Sequence, residues 1–211
     1  MKKALILITC LFATSANAAL VSFTDRSAFD AAAGATSIED FDSFTIDTQF
    51  HTGTLDVGDF SLSMTSTPST NFNIIDVPPL ANAESDVNGS ANMRVFTNGN
   101  LGVDLMFMFD TAISSFGADF RSLNDEIART EIVVGGEVLT LPIASGSGQA
   151  SFYGFTSDTA FTSVIFRGIV NDVYGIDNVT YGSATAVSAP STLAMMLLGV
   201  AGFVVARRKQ A

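Results

Sequence analysis

Turn-forming residues punctuate this chain so densely between positions 19 and 182 that no long helix fits there, and the runs between them alternate apolar with polar side chains. Val103, Leu105, Phe107 and Phe109 form one such run. Successive side chains of an extended strand point to opposite faces, so these four share a face for a core to cover. The chain has no heptad and no repeat at solenoid spacing. Many short alternating strands separated by turn signals specify an all-β sandwich.

The pattern predicts strands over 38–44, 54–64, 93–96, 101–109, 113–120, 130–134, 137–143, 150–155, 161–166 and 174–181. The second of these breaks at a turn or bulge at Gly58 and Asp59. Asn98-Gly99 predicts a hairpin between 93–96 and 101–109, and Gly135-Gly136 predicts another between 130–134 and 137–143. About ten strands in roughly 170 residues fit a jelly-roll-like β-sandwich. Residues 65–89 read as a long, proline-bearing loop. The one helix signal has Thr24 as cap, Asp25 in the first turn and Gly34 as stop, with Phe23 and Phe29 docking it on the sandwich. All but two of the 18 phenylalanines lie in this body, which has no Trp, so Phe is its main core residue.

Both ends of the chain carry a different pattern. Lys2 and Lys3 precede an apolar run over 4–12, and Ala16-Asn17-Ala18 follows as a small-residue cleavage site. This order reads as a secretory signal peptide over 1–18, cut between Ala18 and Ala19. The run is too short to span a bilayer, which takes about 20 residues. Cys10 is the only cysteine and leaves with the leader. The mature body then has no disulfide, no thiolate nucleophile and no Cys-based zinc site.

Residues 183–188 read as a small-residue linker. Residues 189–211 begin with Ala189, Pro190 and Ser191, continue as an uncharged, largely apolar run from 192 to 206, and end with Arg207, Arg208 and Lys209. The run is short for a transmembrane helix, but the basic residues can snorkel and mark the cytoplasmic end. This tail resembles the PEP-CTERM sorting segment of exported Gram-negative proteins. Val187, Pro190, Ser191, Thr192, Leu193 and Ala194 match that family's order, while Ser188 and Ala189 stand where it has Pro and Glu. The resemblance implies recognition by an exosortase-type membrane protease, cleavage near Pro190, and transfer to the cell surface or extracellular matrix.

The 21 acidic residues all lie in the body against five arginines (Arg26, Arg94, Arg121, Arg129 and Arg167), which leaves it at −16 where the whole chain carries −11. Such a body repels nucleic-acid phosphates and anionic membrane surfaces and suits solubility or divalent cations. The segments Phe116-Gly117-Ala118-Asp119-Phe120, Phe152-Tyr153-Gly154-Phe155 and Tyr174-Gly175-Ile176-Asp177-Asn178-Val179 look like strands of other PEP-CTERM bodies and are similar to galactose-binding-like jelly rolls. That resemblance implies a structural Ca²⁺ held by an early-strand acid and the last-strand Asp, here Glu39, Asp40 or Asp42 with Asp177. On a strand over 38–44, Asp40 and Asp42 share a face and can point at one ion.

Other chemistry finds little support. His51 is the only histidine and no Gly-x-Ser-x-Gly elbow accompanies it, so it reads as a loop residue rather than part of a triad. Acidic pairs of glycosidase type arise by chance among so many carboxylates. Tyr153, Tyr174 and Tyr181 are available as sugar platforms. The expectation is therefore an exported, non-enzymatic surface or matrix protein working in adhesion or exopolysaccharide-associated biofilm. Its alternatives are a carbohydrate-binding module, supported by exposed tyrosines beside Asn or Asp, and a secreted hydrolase, which needs a deep pocket.

Overall fold

The computed structural model describes residues 19–66, 72–125, 127–142 and 150–182. These residues form twelve antiparallel strands and one short α-helix. The strands are β1 (Leu20–Phe23), β2 (Ser37–Glu39), β3 (Thr48–Gln49), β4 (Leu55–Asp56), β5 (Phe60–Met64), β6 (Ile74–Asp76), β7 (Asn92–Thr97), β8 (Leu105–Arg121), β9 (Thr130–Val134), β10 (Glu137–Thr140), β11 (Ala150–Gly168) and β12 (Asp172–Gly182). The helix, α1 (Arg26–Ala33), follows β1.

Two strands are far longer than the sequence pattern suggests. The expected breaks near 110–112 and 156–160 are bends within β8 and β11, and each of these strands serves two layers. In one layer the first half of β8 pairs β5 through Phe60↔Phe109, and the last part of β11 pairs β9 through Ile165↔Val133. In the other, the second half of β8 lies between the first half of β11 and β12. There β1 flanks β11, while β7 and β2 flank the two ends of β12. The hydrogen-bonded sheet is thus continuous but folds over on itself.

The fold-over closes the core. Phe60 on β5 meets Tyr181 on β12 with ring centroids 5.5 Å apart, so the two layers touch face to face. Phe116 sits at the centre, 5.3 Å from Phe107, 5.8 Å from Phe155 and 6.1 Å from Phe166. These rings are 0% exposed. Full burial of one such side chain is worth roughly 1.5–3 kcal/mol, which makes the phenylalanines the main apolar term.

Several local expectations change. Asp25, not Thr24, caps α1: its side chain accepts from Ala28 N at 2.8 Å and its backbone is extended. Gly34 ends the helix at φ 75°, as expected of a stop residue. Phe29 docks the helix between Phe23 and Phe152, at 6.0 and 5.2 Å. Asn98-Gly99 opens no hairpin. Asn98 caps a short 3₁₀ turn, its side chain accepting from Asn100 N, and only the bridge Asn98↔Val103 forms. Beyond it β7 leaves for β12 and β8 for β11. Gly135-Gly136 does close the β9–β10 hairpin, with both glycines at positive φ.

The strand expected over 38–44 ends at Glu39. Phe41 takes φ 59° and turns its ring into the core, where it is 0% exposed. Glu39 accepts from Phe41 N and Asp40 from Asp42 N, two local turns that compete with the ladder. Asp40 and Asp42 therefore do not share a strand face. The signal peptide, linker and sorting tail (residues 1–18, 183–188 and 189–211) lie outside the described residues. Among the described residues no helix is long and apolar enough to cross a membrane.

Candidate functional site: a buried acidic cluster on the last strand

The ladder between β12 and β8 slips between Asp177 and Thr180, and Asn178 takes φ 50°. This bulge turns the Asp177 carboxylate inward, where it is 0% exposed. Oδ1 accepts from Asn178 N and Oδ2 from Asn88 Nδ2, both at 2.6 Å. Asn88 reaches in from the 82–91 segment, with its own Oδ1 fixed by the N–H and hydroxyl of Ser90. That segment lies directly on β12: a Cβ on Gly175 would stand 2.0 Å from Ser85 O.

A second carboxylate lies beside the first. Asp119 on β8 accepts from Asn178 Nδ2 at 3.0 Å and pairs with the Arg26 guanidinium at 2.9 Å. Arg26 also donates to Thr180 Oγ1 and stacks over Phe152 with its guanidinium carbon 4.5 Å from the ring centroid. Asp42 reaches the same segment as Asn88 by accepting from Ala91 N at 3.3 Å.

Burial pushes the Asp177 carboxyl up to about 7, against the pull of the Asn178 N–H, and the charges of Asp119, Asp42 and Asp40 push the same way. Burial also raises Glu39, opposed by the Phe41 N–H and helped by the Asp40 and Asp59 charges. Of the four expected calcium ligands, then, Asp177 feels the charges of Asp42 and Asp40, and Glu39 feels that of Asp40. The fold turns Glu39 toward Phe41 N. The donor set is oxygen-rich, as Ca²⁺ requires. Its carboxylates already accept N–H bonds, and among the described residues no three His, Cys, Asp or Glu side chains form a ready cage.

A cavity of about 280 Å³ opens where the layers part, with a floor of Phe109, Ile113 and Tyr181. Asp59, Thr36, Ser37 and Thr111 line its sides. Tyr181 donates its hydroxyl to Asp59 Oδ2 at 3.1 Å, and burial, with the carboxylates of Asp59 and Glu39, pushes that phenol up to about 12. Tyr153, Tyr174 and Tyr181 are all buried, so none of them is an exposed platform. His51 is buried too, with no hydrogen-bond partner for Nδ1 among the described residues.

Sequence reasoning missed Asp119, Asn88 and Asn178 as partners of Asp177. Asp119 lies in the Phe116–Phe120 segment, but only the pairing of β8 with β12 brings it to Asp177. Of the other positions singled out in the sequence, Ala19 is exposed at the start of β1, whereas Ala18, Val187, Ser188, Ala189, Pro190, Ser191, Arg207, Arg208 and Lys209 lie outside the described residues. Comparison of the chain with protein-family models and with curated proteins gave no match.

Proposed function

We propose that this is an exported, non-enzymatic surface or matrix protein whose body is a jelly-roll-like sandwich. Its tail is a sorting segment of the PEP-CTERM type, recognised by an exosortase-like protease and released once the body has crossed the inner membrane. The observation that carries this reading is the order at the C-terminus: Pro190-Ser191, an uncharged run, then Arg207-Arg208-Lys209. A basic stop after such a run holds the chain across the inner membrane with its body outside. The lysine-free acidic body suits work among neutral or cation-bridged surface polymers rather than on nucleic acid. Its role is adhesion or exopolysaccharide-associated binding. Deleting 189–211 tests the sorting step. The truncated body should collect in the periplasm, whereas the full chain should reach the surface or medium. Equal delivery of both forms would remove the tail from sorting.

Calcium belongs to this proposal as a structural ion at Asp177, Asp42 and Asp40, where it would displace the Asn88 amide from Asp177. The expected sign is a Ca²⁺-dependent rise in Tm that chelator reverses and Asp177→Ala abolishes. An unchanged response in that variant would take Asp177 out of the site.

One observation favours a second reading, a carbohydrate-binding module. The Asp59 cavity combines an aromatic floor with a carboxylate and three hydroxyl side chains, the chemistry that holds a neutral sugar residue. Titration with methyl glycosides, followed by NMR, should shift resonances lining this cavity and leave them unmoved in Asp59→Ala. Shifts elsewhere, or none, would count against it.

A further inference from the structure

We propose that removal of the leader at the Ala18–Ala19 bond creates an α-ammonium that Asp158 captures, so that the cut itself completes the edge of the sandwich. The inference rests on the export reading above. It is carried by a contact that reading does not require: Ala19 N donates to Asp158 Oδ1 at 2.9 Å, and Asp158 N donates back to Ala19 O at 3.4 Å.

Asp158 is an oriented group rather than a loose surface acid. It stands where the β11–β8 register shifts, between Thr156 and Phe161. Beside it the Ser157 hydroxyl donates to Thr159 O at 2.7 Å and accepts from Thr159 N at 3.1 Å. The Thr159 hydroxyl donates to Asp158 Oδ1 at 3.2 Å. This small knot holds the carboxylate at the beginning of β1, whose first residue, Leu20, pairs with Ser157. Among the described residues Asp158 has no ion-pair partner. β1 itself carries no charge, and of the nearby α1 charges Arg26 is committed to Asp119 and Asp25 to its cap. The remaining charge on α1, Asp30, is an acid and supplies no cation.

In the uncut chain Ala19 N is a neutral amide. Hydrolysis adds one water across the Ala18–Ala19 bond. Ala18 carbon takes the hydroxyl and ends as a carboxylate, and Ala19 nitrogen leaves as a primary amine. That amine binds a proton at neutral pH, because an α-amino group ordinarily titrates near 7.7–8.0. The hydrogen bond, until then charged only at its carboxylate acceptor, becomes an ion pair charged on both sides. β1 is an edge strand, the kind of element that frays first, so a charge pair at its first residue counts where the sheet is weakest.

The test uses the protein as cells mature it. N-terminal sequencing establishes the first residue, and the methyl resonance of that alanine is then followed by NMR from pH 6 to 10. With Ala19 first, the capture predicts a midpoint clearly above 8, returning to about 7.7–8.0 in Asp158→Asn. A raised folded-state pKa adds stability below the unfolded value and loses it as pH rises through the folded one. Wild type should therefore melt about 1–3 °C above Asp158→Asn at pH 7 and level with it at pH 10. A chain beginning elsewhere overturns the assigned cut and the capture together. A chain beginning at Ala19 with an ordinary midpoint overturns the capture alone and leaves export standing.

Discussion

Asp177 shows how one buried carboxylate can set a pH dependence. Its ordinary value is 3.8, and the fold raises it to about 7. The folded state therefore keeps a proton that the unfolded chain has lost between those values. Stability on this group's account is highest at low pH and falls as pH rises from about 4 toward 7, by an amount on the order of a few kcal/mol. Melting scans in chelator from pH 4.5 to 8 should show this decline in wild type and a flatter profile in Asp177→Asn. A wild-type profile as flat as the variant's would mean that the charge is already compensated. The same logic makes any Ca²⁺-dependent rise in Tm larger at pH 8 than at pH 5, because the ion must displace the proton. The residue was legible in the sequence as the acid of Ile176-Asp177-Asn178-Val179. Its burial was not, because that follows from a bulge and from Asn88, 89 positions earlier in the chain.

Packing at the level of elements makes two predictions. Gly175 lies under the 82–91 segment, and a methyl there would collide with backbone rather than with a flexible side chain. Gly175→Ala should cost about 1–3 kcal/mol in urea unfolding and loosen the segment that holds Asn88. Phe116, in the second half of β8, touches Phe107 and Phe109 of its first half and rings from both parts of β11, so Phe116→Ala should cost about 3–5 kcal/mol. A loss below 1 kcal/mol at either site would contradict the packing described. Alternation was a sound guide to the short strands: β5, β9 and β10 lie within about a residue of their expected spans or pairing, apart from the far end of β10. It failed where the chain bends without stopping, since the polar and small residues at 110–112 and 156–160 look like turns in one dimension and are bends shared between layers. It failed again at Asn98-Gly99, a strong hairpin word whose flanking strands find better partners elsewhere.

For the whole molecule, the proposed function has a folded β body travel between two removable ends. The all-β class was legible because burial on one strand face leaves a period of two in β9 and at the start of β8, although β7, the second half of β8 and β12 are buried on both faces. The fold-over was not, since pairing between distant segments has no local signal. The most direct measurement of that proposal is the intact mass of the native protein in each cell fraction. The account predicts a species in the outer membrane or medium that begins at Ala19 and ends near Pro190. A full-length tail retained in the inner membrane would contradict it, making the C-terminus a plain anchor and placing the body's partner in the periplasm.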